Sequence, residues 1–536
     1  MRIALLSWES LHSIAVGGVA AHVSELAAAL ARKGHQVHVF TRSGENQPCH
    51  DRIDGVHYHR CMYRPDQDFV DDVNNMCRSI VDRVFEVEDL VGRFDIIHAH
   101  DWLAANAMIW IKQGRGHTCL LTIHSTEYAR CGNAFPEGRA ERIRYQERAG
   151  TYWADRVIAV SHATRDEIAW MYAVPASKTS VIYNGVSPHR FDRPTDVAAD
   201  KRHYGLGPMD PTTLFCGRMV WQKGPDLLVE AVPQVLRQHP AAKFVLVGDG
   251  DMRDSLQWRA RELGIEHAVR FLGYRNGDEL VRLFKMADAV CLPSRNEPFG
   301  IVVLEAWSAG KPVVASQNGG PGEFVSHEVT GLKIYPAPDS VAWGINRVFS
   351  DFDHARRMGR NGRRAVEEGF TWDMVADRTL EVYEELCPKP ASRSQRVGGR
   401  IARTTRVAVP YAASLSGAFE GDSSEPSSRD MVDALLHVKA RFRFGIKDLA
   451  PGTDDALTVF RMSLVRSGLQ PRRQGRALVV EGDGEAVLTA LRHCRQSAQR
   501  RGGMQENLPE EEGDKMSILS DRSDSVSPAL VGALSG

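Results

Sequence analysis

SRNEPFGIVVLEAWSAG, residues 294–310, follows the apolar run AVCLP and sets Glu297 and Glu305 on either side of FGIVVL. A buried-strand pattern that passes through a polar loop into a helical pattern is the repeating unit of a parallel α/β sheet, with function at the strand C-termini. Pro298 favours an early helical position. Backbone N–H groups near Phe299, Gly300, Ile301 and Val302 are therefore expected to point out of an open helix start, where partial positive charge attracts phosphate. Gly300 lets a ligand come close to the backbone. Glu297 and Glu305 would repel that phosphate, so their expected partners are neutral hydroxyls. Phosphate together with sugar hydroxyls describes a nucleotide sugar. Taken alone, two glutamates read as solvated acids; their company along the chain changes that.

Outward from this stretch the same unit recurs. IALLS, VHVFT, IIHAH, CLLTIH and RVIAVS read as strands in the first half, and TTLFCGR, KFVLVGDG, VRFLG, AVCLP and PVVAS in the second. Each ends in a polar or glycine-rich turn followed by helical periodicity. HVSELAAALARKGH carries one apolar stripe, Val23, Leu26, Ala27 and Leu30, stopped by Gly34. The Gly- and Pro-rich VIYNGVSPHRFDRPTDVAADKRHYGLGP separates the two series. The pattern predicts two doubly wound α/β domains, 1–190 and 205–370, facing a cleft and closed by a helix at 371–387. Linker composition follows at 388–429. A small helical or α/β module is expected at 430–500, with helical periodicity in MVDALLHVKARF and one strand candidate, RALVVEGDG. The tail at 501–536 has the composition of a disordered segment.

The 536 residues carry a net charge of -1 with 25% charged side chains, which leaves no bulk attraction to nucleic acid or an anionic membrane. Nine cysteines lie scattered without a CxxC pair or a His/Cys cluster, the pattern of reduced thiols in a cytoplasmic setting without structural zinc. MRIALLSW reads as a first strand rather than a signal peptide, and no run of about 18 apolar residues suggests a membrane span. Peripheral membrane contact stays open. The aspartate pairs at 66–68 and 249–251 resemble DxD metal motifs but have no third ligand in view, so no metal is expected.

Four further segments supply candidate site residues. Gly17 and Gly18 link the first strand to the first amphipathic helix without a GxGxxG fingerprint; they suit a plain turn or a glycine loop facing a phosphate or acceptor. In HAHDW, Asp101 ends a strand, where it suits a helix N-cap or a sugar hydroxyl. In TIHSTEY, His124 and Glu127 occupy the equivalent place on the next strand, and both are expected to line one pocket. In CGRMVWQKG, Arg218 and Lys223 follow the second domain's first strand and can converge on a pyrophosphate, opposing the charge that builds on a leaving group. VRFLGY reads as an ordinary buried strand, or alternatively offers Leu272 and Tyr274 to a nucleobase. NGGPGEFV places Gly319, Gly320 and Glu323 at another open turn near the same cleft.

In order, GGVAAHVSELAAALARKGHQVHVFTR, HAHDW, YNGV, FCGRMVWQKGPDLLVEA, VGDG and PSRNEPFGIVVLEAWSAGKPVVASQNGGPGEFV resemble the family-four retaining glycosyltransferases of GT-B fold, over residues 1–386. HAHDW with TIHSTEY is also similar to the sugar pocket of glycogen and starch synthases. The resemblance implies two Rossmann-like domains and a nucleoside-diphosphate sugar clamped between them. Arg218 and Lys223 would hold its diphosphate, Glu297 the donor-sugar hydroxyls, Glu305 the ribose and the backbone from 299 to 302 the phosphates. Gly18 would approach from the other domain and His124 would touch the transferred sugar. It further implies front-face substitution with the leaving phosphate as base, no required cofactor and a carbohydrate acceptor, in keeping with a sequence that offers no clear nucleophile/base couple. Residues 388–536 lie outside the match, and a loop near 131–148 is an extra feature on the acceptor side. A glucan-elongating synthase transferring glucose is the first specific expectation. The rival expectations are a glycosyltransferase of surface polysaccharide or glycoconjugate assembly, a GT-B phosphorylase or sugar-nucleotide epimerase, and a non-catalytic carbohydrate-binding protein.

Overall fold

The structure, a computed structural model, describes residues 1–387 and the segments 439–445, 470–474 and 477–483. Residues 1–393 belong to one compact unit and 394–536 to another.

In the first unit, eight strands form one sheet: β1 (Arg2–Leu6), β2 (Gln36–Arg42), β3 (His50–Ile53), β4 (Val56–Cys61), β5 (Ile96–His100), β6 (Cys119–Ile123), β7 (Arg156–Ala159) and β8 (Thr179–Val181). Their order is β3-β4-β2-β1-β5-β6-β7-β8. β1 runs parallel to both neighbours, with Ile3 opposite Val37 and Ile96. A second sheet holds β9 (Thr212–Cys216), β10 (Lys243–Val247), β11 (Val269–Gly273), β12 (Ala289–Leu292), β13 (Val313–Ser316) and β14 (Gly331–Ile334), in the order β11-β10-β9-β12-β13-β14. All its pairings are parallel.

Parallel strands must bury both faces, and helices cover each sheet on both sides. Helices Phe69–Val91 and Trp102–Arg115 bury Val73, Ile80 and Met108 against one face of the first sheet, and helix Gly18–Arg32 buries Val23, Leu26 and Leu30 on the other. In the second sheet, helices Pro225–Gln238 and Pro338–Ser350 cover one face, while Gly277–Met286 and Ile301–Ser308 cover the other. Strand order reverses at β1 in the first sheet and at β9 in the second. Each reversal opens a crevice beyond the strand C-termini, the usual ligand position in such sheets.

Several elements differ from the sequence reading. The closing helix, Trp372–Leu386, packs on the first domain, an attachment the sequence reading left open: Trp372, Val382 and Tyr383 join the core of Ile3, Leu5 and Val23, and Tyr383 meets His98 through its hydroxyl at 2.7 Å. β3 and β4 form an antiparallel hairpin that the reading passed over, turned by Asp54 and Gly55 at φ 51° and 81°. In the second unit, β15 (Lys439–Gly445), β16 (Gln470–Gln474) and β17 (Ala477–Asp483) make an antiparallel sheet in the order β15-β17-β16. The strand candidate in RALVVEGDG coincides with β17, whereas the end of the helical pattern MVDALLHVKARF is the start of β15. The other readings at 388–429, 430–500 and 501–536 fall outside the described residues.

Candidate functional site

The turn after β9 is laid onto the end of β12. Gly224 has φ 66°, and a Cβ there would stand 2.4 Å from the Pro293 carbonyl oxygen, so a residue without a side chain is required. This approach brings Lys223 Nζ to 2.8 Å from both carboxylate oxygens of Glu297, and Ser294 Oγ donates to Glu297 Oε2 at 3.0 Å. Glu297 is 5% exposed; an ionised carboxylate so placed needs its cation. The two residues, assigned separate ligand contacts by the sequence reading, are already partnered. Arg218 differs: it is exposed and has no ion pair among the described residues. Lost hydration and then the neighbouring Arg130 charge lower its pKa, with Glu297 and Glu9 opposing. An incoming anion would meet an uncompensated cation.

Gly300 is the N-cap of the helix Ile301–Ser308, at φ 93°. Pro298 therefore lies in the preceding loop, not in the first helical turn as expected. Phe299 is 3% exposed, with its ring against Tyr183 and Phe324, so its backbone alone can reach a ligand. The N–H groups of Ile301 and Val302 open the helix and lack intrahelical acceptors, while Val303 N–H donates back to Gly300 O at 2.9 Å. Glu305 follows one turn on, half-buried. Burial pushes its carboxyl up to about 7 against the opposing charge of Arg190.

The first domain meets this helix through its glycine loop. Glu9 Oε2 accepts from Val16 N–H at 2.6 Å and Gly17 N–H at 2.7 Å. A Cβ at Gly18 would lie 3.3 Å from Ile301 Cδ1. Gly18 thus faces Ile301 across the cleft, while Gly17 packs against Glu9 of its own domain. Other contacts span it: Asn296 Nδ2 donates to Asn133 Oδ1 at 3.1 Å, and the Glu323 carboxylate accepts from His162 N–H, Ala163 N–H and Tyr183 OH. Glu323, read as part of an open turn, instead ties the second domain to a helix start in the first.

Asp101 occupies the N-cap position of Trp102–Arg115, yet its side chain does not cap that helix. It has φ 58°, unusual for a non-glycine residue, and its carboxylate accepts from His124 N–H at 2.7 Å. It therefore positions His124 from below, and burial pushes its pKa up to about 6. His124 is half-buried, and burial holds its imidazole down at about 3, in the neutral form. The Glu127 carboxylate is held by Arg130 at 2.7 Å, and Arg130 also binds Glu147 at 2.8 Å. Leu272 packs into the second domain's core, while Tyr274 is 55% exposed beyond β11.

In each aspartate pair at least one carboxylate is held in local structure. Asp68 caps Phe69–Val91 by accepting from Val70 and Asp71 N–H, and Asp249 binds Gly250 N–H and Arg253. Sequence reading missed Glu9 and the gathering of His22, His100 and His124. The three histidines lie 24 to 102 positions apart, so no local spacing announces them; Glu9 stood close beyond the first strand and could have been found.

Residues 16–190 match the family described as Glycosyltransferase Family 4, and 196–365 the family Glycosyl transferases group 1. The chain is 38% identical over 392 residues to an uncharacterized glycosyltransferase of Methanocaldococcus jannaschii, covering 72% of this chain and 98% of that one. The chain is a GT-B glycosyltransferase. The enzyme is also 32% identical to a glycogen synthase of Mycobacterium tuberculosis, over 72% of this chain and 94% of that one. Its structure resembles a sucrose-phosphate synthase from Thermosynechococcus elongatus, with TM-score 0.62, 26% identity and coverage of 72% and 98% of the two chains. In the enzyme, both matched families end before residue 388.

Proposed function

We propose that the enzyme transfers a hexose, with glucose the first candidate, from a nucleoside-diphosphate sugar to a carbohydrate acceptor with retention of anomeric configuration. The observation that carries this reading is the unpaired Arg218 beside the Lys223–Glu297 pair, set at the helix start that faces Gly18. An uncompensated cation, a second cation and free helix N–H groups suit a diphosphate. Glu297 and Glu305 suit hydroxyls, and His124 the transferred sugar.

In this reading the anomeric carbon–oxygen bond to the diphosphate breaks while the acceptor hydroxyl oxygen bonds to that carbon on the same face. The acceptor's proton passes to the leaving phosphate oxygen. Arg218 and Lys223 oppose charge that grows on the diphosphate, so they stabilise the transition state more than bound substrate. No protein nucleophile and no cofactor are required. The glycogen synthase relative supports glucose and a glucan acceptor. D-inositol 3-phosphate glycosyltransferases, 31% identical in Nocardia farcinica, favour a second reading with a small non-glucan acceptor. Among the described residues no helix is long and apolar enough to cross a membrane.

The deciding experiment incubates purified full-length enzyme with a panel of nucleotide sugars, with and without glucan or inositol phosphate acceptors, and weighs the products. Acceptor-dependent release of nucleoside diphosphate supports transfer. Donor turnover to an isomeric nucleotide sugar, or donor binding without transfer to any acceptor, would sink it.

A further inference from the structure

His22 on the first helix, His100 at the end of β5 and His124 beyond β6 come together beside the cleft, each offering a ring nitrogen within 4.8 Å of the others. His22 and His100 are 4% and 1% exposed, and His22 keeps a buried Nε2 without a hydrogen-bond partner. Buried imidazole nitrogens are rarely left so. His100 Nδ1 and His124 Nε2 are 3.2 Å apart. These two nitrogens share a hydrogen bond; a tetrahedral ion with nitrogens at ~2.0–2.1 Å holds them roughly 3.4 Å apart, so an ion that displaces the shared proton to the far nitrogen of its ring finds this pair at the right spacing, and His22 needs to close by little more than an ångström. On its far side His22 Nδ1–H donates to Asn184 Oδ1 at 2.8 Å. That bond fixes the tautomer and leaves Nε2 as a lone pair turned inward, the outer-shell arrangement found behind metal-ligating histidines. Burial lowers the pKa of all three rings, keeping them in the neutral form that ligates metal.

We propose that His22, His100 and His124 form a site for a divalent metal ion that favours imidazole, Zn2+ above all, with its fourth position open to the cleft. Mg2+ and Ca2+, which take oxygen ligands, do not fit this donor set. Because His124 is also the residue assigned to the transferred sugar, metal and nucleotide sugar compete for it. The ion is an inhibitor of transfer rather than a cofactor. Competition rests on the proposed sugar role of His124; metal binding itself does not.

The test is equilibrium dialysis of chelator-treated full-length enzyme against Zn2+, followed by metal analysis. Wild type is expected to retain one equivalent that His22→Gln and His100→Gln lose, while His267→Gln, at an exposed histidine, keeps it. Asn184→Leu is expected to weaken binding by roughly 10- to 100-fold, and Asn184→Asp to preserve it. Thermal melts confirm that the variants are folded, and a Cu2+ titration of folded wild type repeats the stoichiometry with a second metal. No retained Zn2+ in wild type, or equal retention in His22→Gln and His100→Gln, overturns the site. Saturating nucleotide sugar is expected to raise the Kd for Zn2+; an unchanged Kd overturns the competition, whereas intact transfer beside absent Zn2+ binding overturns the metal site and leaves the transferase reading standing.

Discussion

Lys223 Nζ lies 2.8 Å from each carboxylate oxygen of Glu297, at a point where the glutamate is 5% exposed and the lysine side chain 22%. The pair holds a charged arm in place before any ligand arrives, which lowers the ordering cost of binding a diphosphate. Lys223→Ala removes a leaving-group cation and is expected to slow transfer by roughly 10²–10³-fold, by analogy with loss of one oxyanion donor. It also strands a buried carboxylate, which costs about 3–5 kcal/mol in a fully buried pair and less here because the lysine is partly wet. Lys223→Met combined with Glu297→Gln should recover stability but not rate. Urea unfolding alongside single-turnover kinetics separates the two effects; wild-type turnover in Lys223→Ala removes the diphosphate role.

Arg218 should behave differently, because it has no ion pair to lose among the described residues. Arg218→Ala is expected to leave the unfolding free energy within about 0.5 kcal/mol of wild type while cutting turnover by roughly 10²–10³-fold. Arg218→Lys keeps charge without the planar fork and should recover a part of the rate. A large stability loss in Arg218→Ala would mean that the side chain is structural.

The contrast between these two cations shows where sequence reading stops. Strand-end placement identified both Arg218 and Lys223, because apolar runs and their turns report the sheet through local periodicity. Which of them already has a partner depends on Gly224 meeting Pro293, some seventy positions away, and no local pattern carries that. The same holds for Glu127, whose carboxylate is already partnered by Arg130. The β3–β4 hairpin is another kind of miss. HDRIDGVHYHRC contains Asp-Gly between short strand patterns, a strong hairpin signal, but β3 is polar and partly exposed, and β4, although mostly buried, is rich in histidine and arginine, so neither has the apolar weight that marked the others. Trp372–Leu386 was legible as a helix by its period, while its return to the first domain is a tertiary choice set by Tyr383 meeting His98.

Glu305 carries a pH prediction. Its folded pKa, raised by burial to about 7 from an ordinary 4.5, means that the folded enzyme binds more protons than the unfolded chain between those values. Stability from this group is full below pH 4.5 and is lost as pH rises through 7. Asp101 and Glu147, raised to about 6 and about 7, act in the same direction. Glu305→Gln should therefore show a shallower fall in urea-unfolding stability from pH 5 to 8 than wild type. A hydroxyl pair bound to the ionised carboxylate is worth about 1.5–3 kcal/mol, so donor affinity should rise through pH 7 in wild type and stay flat in Glu305→Gln. Parallel pH profiles for the two proteins would contradict the ribose assignment.

Removing everything after residue 393 leaves the first compact unit whole and keeps both matched families, which end at residues 190 and 365. The shortened enzyme is expected to retain acceptor-dependent transfer with a donor KM within about threefold of full length, on the ground that the proposed donor contacts all lie between residues 17 and 305. Complete loss of transfer in a folded truncation would place an essential part of the site in the second unit.

Gly18 tests closure of the cleft. A Cβ there would sit 3.3 Å from Ile301 Cδ1, a contact that a small shift of the isoleucine tip can relieve, and Gly18 already begins a helix, so alanine adds no backbone strain. Gly18→Ala should fold normally and lose less than about tenfold in rate. Gly18→Val adds branches where the two domains approach, and overpacking of this kind costs about 1–3 kcal/mol. Because the cost falls on the closed arrangement and not on either domain alone, it should appear in kcat and donor affinity with the melting profile of each domain unchanged. Gly18→Val combined with Ile301→Ala restores the lost volume, and recovery of turnover in the double variant is the expected signature of direct contact across the cleft. Equal impairment of the single and double variants would show that Gly18 acts through its own backbone instead.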